Sequence, residues 1–117
     1  MPTTYQGGCH CGAVRYEVST ELTKVATCNC SICSKAGWSL AFAPADQFTL
    51  KSGADNLTDY QFGKKQIHHV FCKTCGIRSF SRGAGPDGKE YVAVNARCLD
   101  GVNLDGIETS MFDGKSL

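Results

Sequence analysis

At 117 residues the chain is long enough for one ordinary domain with a modest apolar core, and with 42% hydrophobic and 20% charged residues it is neither a disordered polar tail nor a membrane-embedded protein. No apolar run approaches the roughly 20 residues a spanning helix needs. The formal charge is +1 with no block of lysines and arginines, so nucleic acid and anionic membranes are excluded as partners on global charge.

In chain order, residues 1–5 carry neither a basic segment nor an apolar one, so no secretory signal is read there and a reducing, cytoplasmic setting is expected. Residues 13–18 alternate apolar and polar side chains, as a strand with one buried face does, and residues 24–27 lead similarly into a cysteine cluster. A single helical turn is expected at residues 34–37. Residues 38–42, 48–51, 57–62 and 66–71 then read as successive strands. The glycine- and proline-rich stretch 83–88 is a turn joining strands at 77–81 and 91–95. Residues 105–117 show little pattern, with Met111 and Phe112 expected to pack back and Asp113-Gly114 to turn. No long helical period, repeat or linker is visible, so residues 1–117 are read as one mainly β domain.

Eight cysteines punctuate these elements. Cys9 and Cys11, like Cys28 and Cys30, are separated by one residue, a spacing that strains an intramolecular disulfide but suits two thiolates converging on one ion. With the reducing setting, this assigns Cys9, Cys11, Cys28, Cys30, Cys33, Cys72 and Cys75 to metal, with zinc the natural choice. A closed structural site takes four ligands, and the most economical set joins Cys9 and Cys11 to Cys72 and Cys75. Cys28, Cys30 and Cys33 then form a three-ligand site with one open position, the hallmark of a reactive zinc. Two other partitions stay open: Cys30 and Cys33 with Cys72 and Cys75, or closure of the triple set by Cys98, His10, His68 or His69. Seven thiolates and two divalent ions would bring the formal charge of +1 down to −2. Gly8, Gly12 and Gly76 flank the paired cysteines where positive φ is often needed.

Four stretches then carry a likeness: Gly8-Cys9-His10-Cys11-Gly12-Ala13-Val14, Cys28-Asn29-Cys30-Ser31-Ile32-Cys33, Phe71-Cys72-Lys73-Thr74-Cys75-Gly76 and Asn95-Ala96-Arg97-Cys98-Leu99-Asp100-Gly101. Their order and spacing resemble the glutathione-dependent formaldehyde-activating enzyme family, which also includes centromere protein V. The resemblance implies a β-tent fold of short antiparallel strands stapled by zinc. It implies a structural zinc on Cys9, Cys11, Cys72 and Cys75 and a second zinc on Cys28, Cys30 and Cys33. It also implies carbon–sulfur lyase chemistry that joins glutathione and formaldehyde as S-(hydroxymethyl)glutathione.

The residues themselves point the same way. Three thiolates make a poor centre for acidifying water and a good one for a fourth, incoming thiol, which suits thiol addition to a small aldehyde. A glutathione-like thiol needs donors for its carboxylates, and Lys35 and Arg97 are the candidates. Trp38 and Phe42 are expected in the core, with a pocket wall as the other role, and Cys98 is expected to be a buried thiol. Asn95 and Asp100 either orient Arg97 or cap a turn. His68 and His69 sit at successive strand positions and face opposite ways. A non-enzymatic zinc module and a thiol or metal redox sensor are the rival functions.

Overall fold

The alternation after the first cysteine pair becomes β2 (Arg15–Thr20), in which Tyr16, Val18 and Thr20 are buried and the residues between them are half-exposed. The computed structural model describes residues 3–29, 31–61, 67–84 and 88–112. β2 pairs antiparallel with β1 (Thr3–Gly8) on one side and β5 (Phe48–Ser52) on the other. A second sheet of seven strands runs in the order β10, β3, β4, β9, β8, β7, β6. These are β3 (Lys24–Cys28), β4 (Leu40–Pro44), β6 (Leu57–Tyr60), β7 (Ile67–Cys72), β8 (Phe80–Ala84), β9 (Glu90–Asn95) and β10 (Glu108–Phe112). Its pairs are antiparallel except β10 with β3, which is parallel.

The two sheets share one core. Tyr16 and Phe48 come from the smaller sheet and Phe80 from the larger, with ring centroids 4.8 to 5.6 Å apart. Val14, Val18, Val70, Val92 and Val94 pack with them. The Tyr16 hydroxyl, the one polar group this aromatic brings inside, donates to the Ser79 carbonyl oxygen at 3.0 Å. No helix among the described residues is long and apolar enough to cross a membrane.

Several expectations shift. β1 was not marked by any pattern in the sequence, and the helical turn expected at 34–37 starts earlier, as α1 (Ser31–Ala36), so Cys33 lies inside it. Gly37, at φ +66°, ends α1 with its N–H donating to the Cys33 carbonyl oxygen. The strand expected at 77–81 begins instead at Phe80, because residues 76–79 are spent leaving the second cysteine pair. Trp38 is buried as expected, whereas Phe42 is 57% exposed on the outer face of β4. The expectations for Phe62, Gln66, Gly85, Pro86, Asp87, the Asp113-Gly114 turn and the rest of 113–117 lie outside the described residues.

Candidate metal centre

Two hairpin-like knuckles far apart in the chain, at residues 9–14 and 72–77, meet at one point. In the first, the Cys9 N–H donates to the Val14 carbonyl oxygen at 3.1 Å and the Val14 N–H donates to Cys9 Sγ at 3.3 Å. This closure brings Val14 so near that a Cβ at Gly8 would lie 2.1 Å from the Val14 oxygen, so glycine is required there for approach. In the second, the Cys72 N–H donates to the Ile77 carbonyl oxygen and Gly76, at φ +78°, turns the chain back. The Thr74 N–H and the Asn56 side-chain amide each donate to Cys72 Sγ at 3.4 Å. Asn56 also donates to Thr74 Oγ1, and its carbonyl oxygen accepts from the Lys73 N–H. Sequence reasoning missed Asn56, whose sole signal was its place just before a strand paired to Cys72.

The sulfurs of Cys9, Cys11, Cys72 and Cys75 all lie within 4.8 Å of one another. Cys11 Sγ is 3.6 Å from Cys9 Sγ and 3.6 Å from Cys72 Sγ. Four sulfurs about 2.3 Å from a tetrahedral zinc are about 3.8 Å apart, whereas a disulfide requires about 2.0 Å. The spacing fits a shared metal ion and excludes disulfides.

The donor set is also prepared electrostatically. Amide hydrogen bonds, from Ile77 first and then from Cys11, bring the Cys75 thiol down to about 6. Cys72 is likewise lowered, chiefly by the Cys75 amide. At Cys11 the Ala13 amide pulls down, but desolvation and the neighbouring sulfurs together carry the thiol up to about 11. A divalent cation relieves that crowding of sulfurs. Cys98 stands beside this site, interacting with Cys9 and Cys75, and burial raises its thiol to about 11. The sequence predicts a buried thiol; Cys98 is half-buried.

Cys28 and Cys33 are not part of this four-sulfur group. Cys28 ends β3 and Cys33 sits in α1, both half-buried, and Cys30 lies outside the described residues. Ser31, Ile32, Lys35 and Ala36 of α1 line a cavity of about 470 Å³ together with Tyr60 and Arg78. Lys35 is therefore beside the cysteine segment. Arg97 is exposed in a short 3-10 turn at Ala96–Cys98 and is absent from this cavity's wall. Trp38 and Phe42 do not line it either.

Asn95 and Asp100 divide the roles proposed for them. Asn95 Oδ1 accepts the Arg97 N–H at 3.2 Å, capping the turn, and its Nδ2 donates to the Arg78 carbonyl oxygen at 3.3 Å. Asp100 pairs with Arg15, not with Arg97. His68 bonds Asp59 at 2.7 Å, whereas His69 is buried and stacked on Trp38 at 6.1 Å. Burial, then the nearby Arg78, favours neutral His69. His10 is exposed.

Comparison with known proteins supplies the context for this geometry. A crystal structure of a Rhodobacter sphaeroides protein is 37% identical to this chain with a TM-score of 0.81, covering 92% of this chain and 99% of that one. Residues 4–112 match the family described as glutathione-dependent formaldehyde-activating enzyme, and the chain belongs to that family.

Proposed function

We propose that this chain is a zinc-dependent enzyme of the carbon–sulfur lyase type, which binds glutathione or a similar small thiol and adds it to a small aldehyde. Family membership supports a glutathione-dependent, formaldehyde-activating function in general. The observation that carries the finer reading is the closure of one four-sulfur set by Cys9, Cys11, Cys72 and Cys75. That closure leaves Cys28, Cys30 and Cys33 as a separate set one ligand short of a closed site.

A zinc held by Cys28, Cys30 and Cys33 would supply a position that keeps an incoming thiol ionised at neutral pH. The four-sulfur site would fix the two knuckles and, through them, the segment leading to Arg78. Cys28 and Cys33 are presented from different elements, a strand end and a short helix, so their separation is set by backbone and not by flexible side chains. In the addition itself the thiol sulfur forms the carbon–sulfur bond and the carbonyl π pair moves to oxygen. The thiol proton leaves to solvent and oxygen takes one from solvent, so no oxidant or reductant is needed. The cavity beside α1 accommodates the remainder of the thiol. A cytoplasmic setting, where such thiols are abundant and reduced, accords with this role.

The test is exchange between formaldehyde, glutathione and their adduct at equilibrium, followed by magnetisation-transfer NMR. The wild type accelerates exchange above the buffer rate, and Cys33→Ser returns it to that rate while retaining the four-sulfur metal. Equal rates with wild type, Cys33→Ser and buffer would leave a non-enzymatic zinc module as the function.

A further inference from the structure

The two sheets do not close on each other completely. Phe48 and Leu50 of β5 and Leu57 of β6 pack against the shared core but are only half-buried. Together with Val70, Phe80 and Val92 from the inner face of the larger sheet, they line a cavity of about 350 Å³. That size falls at the lower end of small-molecule sites, and the lining is apolar but for Arg82 and Glu90. Antiparallel register sets Arg82 opposite Val92 and Ala84 opposite Glu90, so the two charged residues are diagonal neighbours on one face, with backbones roughly 7 Å apart. Both are exposed, yet neither forms an ion pair with a described residue. The next charges along that face already engage each other, since His68, opposite Arg82 on β7, bonds Asp59 at 2.7 Å. This cavity is separate from the one beside α1. Tyr60, which lines the latter, is registered with His69, and His69 alternates with Val70, so the two cavities lie on opposite faces of the larger sheet.

We propose that this cavity is a binding site for a free α-amino acid with a large apolar side chain. Two opposite charges held side by side and not joined to each other suit a ligand that carries both complements on one carbon, as an α-amino acid does. Arg82 takes the α-carboxylate through its planar fork, and Glu90 accepts from the α-ammonium. The ligand's side chain enters between β5 and the larger sheet, where covering Phe48, Leu50 and Leu57 removes apolar surface from water. A simple carboxylic acid leaves Glu90 facing an unmatched anion, and a simple amine leaves Arg82 facing an unmatched cation, so each is a poorer ligand than the zwitterion. The assignment is independent of the zinc sites and of the thiol chemistry, for no cysteine lines this cavity among the described residues.

NMR titration of the isotope-labelled, zinc-loaded chain with L-phenylalanine tests this. Amide resonances should move in β8 and β9 around Arg82 and Val92 and stay in place in α1. Phenylpropionate, which lacks the ammonium, phenethylamine, which lacks the carboxylate, and free glycine, which lacks the apolar body, should each bind at least about tenfold more weakly than L-phenylalanine. Arg82→Gln should weaken L-phenylalanine about tenfold without weakening phenethylamine, and Glu90→Gln should weaken it about tenfold without weakening phenylpropionate. Both side chains are exposed, so each variant should keep its thermal transition, and an unchanged melting temperature identifies the loss as one of binding. No shift at millimolar L-phenylalanine, shifts centred on α1, or equal L-phenylalanine affinity in wild type, Arg82→Gln and Glu90→Gln overturns the assignment.

Discussion

Cys11 Sγ and Cys72 Sγ lie 3.6 Å apart although they are sixty-one positions apart in the chain. That contact joins the loop between β1 and β2 to the end of β7, and so ties the three-stranded sheet to the seven-stranded one. Closing a loop of that length is entropically costly, and in a chain this small a metal ion is an efficient way to hold it.

Cys72→Ser should therefore lose about one zinc per chain together with the cooperative thermal transition. Cys72 is buried and its Sγ accepts hydrogen bonds from the Thr74 N–H and from the Asn56 side-chain amide, so its loss affects the fold as well as the ion. Elemental analysis and circular dichroism check both. A variant that keeps its metal and its melting transition would contradict the structural role.

Metal affinity at the four-sulfur site should rise with pH. In the metal-free chain Cys75 sits at about 6, so it is already mostly ionised at pH 7, whereas Cys11 at about 11 must give up its proton on binding. The logarithm of the zinc affinity should increase by at least about one per pH unit between pH 7 and 8. Competition against a chromophoric chelator, in a Cys28→Ser/Cys33→Ser background that isolates this site, gives the slope. A flat profile would refute the assignment.

Two glycines flanking the first cysteine pair should respond differently to alanine. At Gly8 a Cβ would meet the Val14 carbonyl oxygen at 2.1 Å, so backbone must move and Gly8→Ala should cost about 3 kcal/mol. At Gly12 a Cβ meets nothing within 4 Å, and the penalty comes from φ +85° alone, about 1 kcal/mol. Urea unfolding of the zinc-loaded variants measures both, and the reverse order would show that the Cys9–Val14 closure is looser than described.

Asp100→Asn should cost no more than about 1 kcal/mol, because both partners of the Arg15–Asp100 pair are substantially exposed, at 35% and 58%. The Arg15 hydrogen bond holds the Asp100 carboxyl below its ordinary value of 3.8. The folded-state value being the lower, the contribution is complete above that ordinary value and is lost as pH falls through the folded one. The difference between Asp100→Asn and wild type should accordingly be present at pH 6 and fade below about pH 4, as read from unfolding curves at each pH.

The sequence exposed what depends on local pattern and hid what depends on meeting a distant partner. The alternation through Tyr16 and Val18 marked β2, and the paired cysteine spacings marked both knuckles. β1 was invisible because it ends in Gly7 and Gly8, which read as loop; they are glycine because Cys98 and Val14 crowd them. β10 was hidden because its pattern is weak and its parallel partner, β3, lies some eighty residues earlier. α1 is only six residues, too short to display a period, so its start was placed three residues late. Arg78 carried no signal, since the second cation of the cavity is identified by where β6, α1 and the knuckle meet. Arg97 offered the more conspicuous motif but occupies an exposed turn.

The division of seven cysteines into a closed set and an open one is tested most directly by zinc per chain. It is measured for wild type and Cys30→Ala, each with and without millimolar glutathione. The account predicts about two zinc ions in wild type with or without glutathione, falling by about one in Cys30→Ala with the four-sulfur ion retained. A count identical under all four conditions would contradict a separate three-cysteine site.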